Sequence, residues 1–310
     1  MIYRPLERVK SWFVLMMVCQ DLAETKRLLD YSYKILHIVQ DEQDERKAAD
    51  RLAKLANLRT ILQPIDPARS HKLARRKRLH DTGAWFLDGV MKAWQDSLEK
   101  EPRTLWLHGK SGSGKSTLHC ATIDRLSHYA TTTPNTGLAY FYCSFADQSS
   151  QHAANILGSI LWQIFEAKDE IAEEVANEVV KLKEMPTCDR LRNYILHYAK
   201  TFNSLFIAVD AVNECAAAKE LLEVLLILPK LVPSIRLVIT SVATPGLALR
   251  DLDDILSTEI KEVQMDHLGV HADIQIYIEF RLKSDQTLQR LKPEMRNKIR
   301  GSLVKNADIM

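Results

Sequence analysis

The chain has 310 residues, of which 46% are hydrophobic and 26% charged, with a formal net charge of +2. That length allows one large domain with a smaller partner and a substantial core, and the composition is that of a globular soluble chain. A near-neutral total gives no ground for strong affinity to polyanions. The five cysteines, Cys19, Cys120, Cys143, Cys188 and Cys215, form no CxxC pair. A zinc site or disulfide framework is therefore not expected, and a reducing, cytoplasmic setting is.

The chain opens with an apolar run from Trp12 to Cys19, preceded by Arg4, Arg8 and Lys10. It is too short for a membrane span and lacks the small-residue cleavage site of a signal peptide. It reads as a buried helix. Leu28, Tyr31, Ile35 and Ile38 continue at helical spacing, and Leu55, Leu58 and Leu62 resume it after the charged stretch Asp41 to Arg46. Residues 1–62 are thus expected to be a small helical module of two or three helices packed on each other.

Pro64 and Pro67 break the pattern. A basic linker over 63–80 follows, with Arg69, Lys72, Arg75, Arg76, Lys77 and Arg78 and, from Arg69 on, no acid until Asp81. Without interleaved aromatics it reads as a solvated linker or helix face, and no nucleic-acid partner is expected. After a turn at Thr82-Gly83, Trp85, Phe86 and Leu87 begin an amphipathic helix carrying Val90, Met91 and Trp94 toward one edge of a sheet.

The segment Thr104 to Thr117, TLWLHGKSGSGKST, carries the chemistry. An apolar strand, Leu105 to Leu107, leads into Gly109, four residues, Gly114, Lys115 and Ser116, the spacing of a P-loop. Such a loop curls so that the backbone N–H groups of Gly109, Lys110, Ser111, Gly112, Ser113, Gly114, Lys115, Ser116 and Thr117 can face phosphate oxygens. Lys115 adds charge near the terminal phosphates, Ser116 offers a hydroxyl to Mg²⁺, and the helix over Leu118 to Leu126 points its positive end at the anion.

Downstream, Leu138 to Phe145 reads as a second strand. Helical stripes follow at Ile156–Phe165, from Ile171, Val175 and Val179, and at Leu191–Tyr198. Leu205 to Asp210, LFIAVD, is an apolar run ending in a carboxylate, as a buried parallel strand meets a phosphate site. Asp210 is the candidate Mg²⁺ ligand beside the loop, and Glu214 the candidate group to orient or deprotonate water. A helix over Leu221 to Leu231 and a strand Arg236 to Ser241 come next. Ser241 is placed to sense the terminal phosphate. Ile255 and Glu259 to Met265 lead out of the sheet, and Asp273 opens a helix carrying Ile274, Tyr277, Ile278 and Leu282. The alternation predicts an α/β fold: a P-loop NTPase with a parallel sheet between helix layers, preceded by the helical module and followed by the start of a helical lid.

TGAWF at 82–86, the P-loop, AYFYCSF, LFIAVDAVNEC and LVITSVATPGL stand in the order found in fungal NACHT domains. Over about residues 63–282 the chain resembles the nephrocystin-like NACHT NTPases of fungal NOD-like receptors and heterokaryon-incompatibility proteins, the STAND class. The resemblance implies an ATP- or GTP-binding signal-transduction switch with Mg²⁺, a nucleotide-driven homo-oligomer or other NACHT or effector proteins as partners, and an NTPase core over 81–264. It also implies that 265–310, from Asp273-Ile274 and Tyr277 on, begins a helical and winged-helix region that continues in relatives past Asn306-Ala307-Asp308. The chain is then expected to be a fragment, a truncated gene model or a reduced paralogue. Two departures bear on turnover. Asn213 stands where relatives carry a second Walker B aspartate, and Val242 where they carry an arginine, so slow or absent hydrolysis is expected. A non-enzymatic adaptor acting through the N-terminal helices is the alternative. A small-molecule P-loop kinase is weaker, because the Asp210 and Glu214 pair suits activation of water.

Overall fold

The computed structural model describes residues 4–96, 102–168, 178–179, 181–242, 260–265 and 268–307. The chain divides into two compact units, Met1–Ala56 and Asn57–Met310.

The first unit lies on α1, a single helix from Arg4 to Leu62. Two or three packed helices were expected; one runs through, because no glycine or proline occurs between Pro5 and Pro64 to break it. The charged stretch extends the helix instead of ending it, through i,i+4 pairs such as Glu42 with Arg46 at 3.9 Å. The apolar run is not buried either: Trp12, Phe13 and Leu15 are 64%, 63% and 65% exposed. The last turn of α1 differs, with Leu58 and Leu62 fully buried in the second unit.

The second unit is built on five parallel strands in the order β2-β3-β4-β1-β5. These are β1 (Thr104–His108), β2 (Thr136–Tyr142), β3 (Ser204–Asp210), β4 (Ile235–Ser241) and β5 (Ile260–Gln264). β5 was read as leaving the sheet; it is the edge strand beside β1. Its IKEVQ alternation is that of an edge, half solvated, and lacks the continuous apolar signature of β3 and β4. The helices are α2 (Ala68–Lys77), α3 (Lys92–Asp96), α4 (Lys115–Thr132), α5 (Ala153–Glu166), α6 (Cys188–Ala199), α7 (Ala218–Leu231), α8 (Leu268–Ser284), α9 (Gln286–Gln289) and α10 (Pro293–Ala307). Ile171, Val175 and Ile255 lie outside the described residues.

One face of the sheet carries the core formed by Phe86, Trp94, Leu105, Leu107, Phe206 and Val238 under α4. The amphipathic segment before β1 enters this core through a π-helical turn, Trp85–Met91, that runs on into α3. The helix after β5 starts at Leu268, five residues ahead of the expected Asp273. Asp273 instead holds it down: its carboxylate accepts from the Gly83 amide at 3.0 Å and from the Trp85 indole Nε1 at 3.0 Å. Gly269 of α8 lies against that fixed indole, and a Cβ there would sit 2.4 Å from a ring carbon. Gly269→Ala should therefore overpack the contact and cost about 1–3 kcal/mol, read as a lowered thermal midpoint. An unchanged midpoint would show that the indole can yield.

Candidate functional site

The loop predicted to hold phosphate joins β1 to α4. Gly112 and Gly114 have φ of +80° and +94°, which a residue with a Cβ rarely adopts. The space a Cβ would take at Gly112 is open. Gly114 caps α4: its carbonyl accepts from the Thr117 and Leu118 amides at 3.0 Å, which leaves the Lys115 and Ser116 amides at the helix start without an intrahelical partner. The Lys115 ammonium is 8% exposed as a residue and donates to the carbonyls of Gly109 at 2.9 Å and Lys110 at 2.6 Å. Burial lowers its pKa, while the charges of Asp210 and Glu214 oppose that drop. A curled loop, free helix-start amides, a buried cation and the Ser116 hydroxyl at the second helical position suit a nucleotide's phosphates and its Mg²⁺.

Strand alternation sorts the polar residues at the sheet's carboxyl end. Tyr142 is in register with Asp210, and Leu107 with both Thr240 and Val263. Thr240 donates a short hydrogen bond to Asp210 Oδ1 and accepts one from the Ala211 amide at 2.8 Å. Asp210, 3% exposed, is thereby fixed on the face that α4 covers. Ser241, the expected phosphate sensor, is one residue on and so turns to the opposite face, where its hydroxyl accepts from Trp106 Nε1 at 2.8 Å. Thr240, passed over in the sequence, is the residue that reaches the Asp210 carboxylate. Its only signal was a polar pair ending a fully buried strand.

Glu214 closes a 3-10 turn, Val212–Glu214, and its Oε2 accepts from the Phe145 amide at 3.2 Å. Ala211 ahead of it takes a left-handed φ of 53°. The two departures from the NACHT pattern meet: Asn213 Oδ1 accepts from the Val242 amide at 2.9 Å.

His119, one turn past Lys115 on α4, is fully buried, and neither ring nitrogen has a partner among the described residues. Its ring stands edge-on to Tyr142, with centroids 5.2 Å apart. Burial lowers its pKa; Asp210 acts to raise it and His71 to lower it. The folded form therefore stays neutral where an unfolded histidine, with pKa about 6.5, binds a proton. Its titration takes no stability above that pH and about 1.4 kcal/mol per pH unit below it. Wild type should lose more stability between neutral pH and pH 5.5 than His119→Phe, by urea unfolding at each pH; equal losses in the two proteins would refute the neutral assignment.

The basic stretch is a helix face, as one of the two expected readings had it: α2 buries none of its residues, and Arg69, Lys72, Arg76 and Lys77 are exposed. On α2 and just beyond, His71, Arg75 and Arg78 meet Asp124 of α4 at 3.2, 3.6 and 3.3 Å. His71 Nδ1 also meets the Tyr142 hydroxyl at 2.9 Å. Donor atoms of His71, Cys120 and Asp124 lie within 4.8 Å of one another. Asp124 is already neutralised there by its cations, and the cluster reads as a latch between α2 and the phosphate-loop helix. No described helix is long and apolar enough to cross a membrane.

A parallel sheet with β4 between β1 and β3, a phosphate loop after β1 and a carboxylate ending β3 define a P-loop NTPase. Residues 81–242, just over half of the chain, match the family described as "Nephrocystin 3, N-terminal", and the chain belongs to that family. It is also 25% identical over 195 residues to the vegetative incompatibility protein HET-E-1 of Podospora anserina, covering 56% of this chain and 14% of that protein. The chain thus spans a small part of that curated relative, and it is a NACHT-type protein by both likenesses. Among solved structures, a DNA replication initiation factor overlaps at TM-score 0.39, with 14% identity, 75% of this chain and 59% of that one. AMPPCP-bound DnaA from Aquifex aeolicus overlaps at TM-score 0.38, with 13% identity, 75% of this chain and 62% of that one. At scores of this size neither structure bears on function.

Proposed function

We propose that this chain is the nucleotide-operated core of a NACHT/STAND signalling switch, binding ATP or GTP with Mg²⁺ and hydrolysing it slowly. The observation that carries the reading is the buried Lys115 at the loop, held in the field of a fixed Asp210 and of Glu214. Gly109 to Thr117 would take the phosphates, and Ser116 and Asp210 would hold the metal, which neutralises phosphate charge when bound. Glu214, whose Oε2 accepts from the Phe145 amide, would hold its other, proton-accepting oxygen toward an attacking water. Val242 brings no cation to the site. Oligomer formation and a cytoplasmic setting are expected of such a switch.

Affinity and single-turnover hydrolysis, measured with ATP and GTP in parallel and with Mg²⁺, test this. Micromolar or tighter binding with turnover well below one per second is the expected result. No binding of either nucleotide would leave the scaffold reading, in which the fold serves as an adaptor.

A further inference from the structure

Helix α1 carries a pattern with period seven. Leu15, Leu22, Leu29 and Leu36 fall at successive seven-residue steps and are 65%, 64%, 51% and 61% exposed. Written as the a positions of a heptad, they put Val18, Thr25, Ser32 and Val39 at d. The two polar d residues suit a closed seam. Thr25 donates its hydroxyl to the Asp21 carbonyl at 2.7 Å and Ser32 to the Leu28 carbonyl at 2.6 Å, so neither would carry an unmade donor into it.

The flanking charges say what covers the seam. The charged g residues are Asp21 and Glu42, and the facing e residues are Lys26 and Lys47. In a parallel, in-register assembly each g meets the e five residues further along the neighbouring helix. Asp21 then meets Lys26 of another copy within the seam, and Glu42 meets Lys47 just past its end. An antiparallel arrangement sets g against g and e against e, acid against acid and lysine against lysine. The seam stops where Gln43 and Asp50 take the a positions.

We infer that residues 14–42 of α1 form a parallel, in-register coiled coil with the same segment of further copies of this chain. Leucine at a with β-branched valine and threonine at d, and apolar g residues at Val14, Leu28 and Ile35, favour more than two strands. The inference is independent of nucleotide binding, so the assembly should form without nucleotide and persist in Lys115→Ala.

The test is the mass of the full chain by sedimentation equilibrium at micromolar concentration without nucleotide. A multiple of 35.4 kDa is expected for wild type, falling to that of one chain in Leu22→Lys/Leu29→Lys. Both side chains are exposed, so the fold of the second unit should survive, checked by its unfolding transition. Asp21→Lys alone should weaken assembly about tenfold, and adding Lys26→Asp should restore it. A monomeric wild type, or an assembly indifferent to the leucine replacements, overturns the coiled coil. An assembly that needs the leucines but ignores the charge exchange overturns the parallel register.

Discussion

Lys115→Ala should abolish Mg-nucleotide binding while leaving the protein folded. The ammonium is the loop's buried cation, and it is held by the carbonyls of Gly109 and Lys110, contacts it can exchange for phosphate oxygens. Its removal takes a full positive charge from a site with little water, where charge-assisted bonds exceed neutral ones severalfold. Burial already disfavours that charge, so losing it should not destabilise the fold. The expected loss is on the order of 10²-fold or more in affinity, by calorimetry, with an unchanged unfolding midpoint. A folded variant that binds as tightly as wild type would end the switch proposal.

Val242→Arg should raise the single-turnover rate on the order of 10²-fold with little change in affinity. Phosphoryl transfer needs positive charge where negative charge collects, and position 242 follows directly on the strand whose Thr240 fixes Asp210. The backbone there is already held, because the Val242 amide donates to Asn213 at 2.9 Å, so a longer side chain starts from a set origin. Two results would count against this account: a wild type that already turns over at several per second, or an arginine variant with unaltered rate.

The phosphate loop, the β1 and β3 strands and Asp210 were legible because each couples a local pattern to a local geometry. Five apolar residues and a carboxylate, Leu205 to Asp210, can be read without knowing what lies alongside. Thr240 and Ser241 could not be separated in that way, since which one faces Asp210 depends on the register of β4 between β1 and β3. Helical spacing in 1–62 is the same for one helix or three. Only the missing glycines and prolines distinguish them, and the charged stretch suggested a break that i,i+4 pairing removes. β5 was passed over because a half-solvated edge strand looks like a loop with charges. His119 was missed because a histidine four residues into a helix reads as solvent-facing until α4 is laid on the sheet.

The stitch between Asp273 and the Gly83–Trp85 segment spans 190 residues of sequence. A ribosome adding about 5–20 residues per second needs on the order of 10–40 s to make that length. During that interval the Trp85 indole has no carboxylate to hold it, and β1 waits first for β4 and then for β5, its edge neighbour, with amides and carbonyls unmet on both sides until β4 is made and on one side after that. The nascent chain thus carries an open strand edge next to its phosphate loop until nearly the whole unit has been synthesised. Long-range closures of this kind slow folding and leave time for chaperones to bind. Pulse proteolysis of stalled chains should show the segment around Trp85 becoming protected only after residue 273 has cleared the exit tunnel.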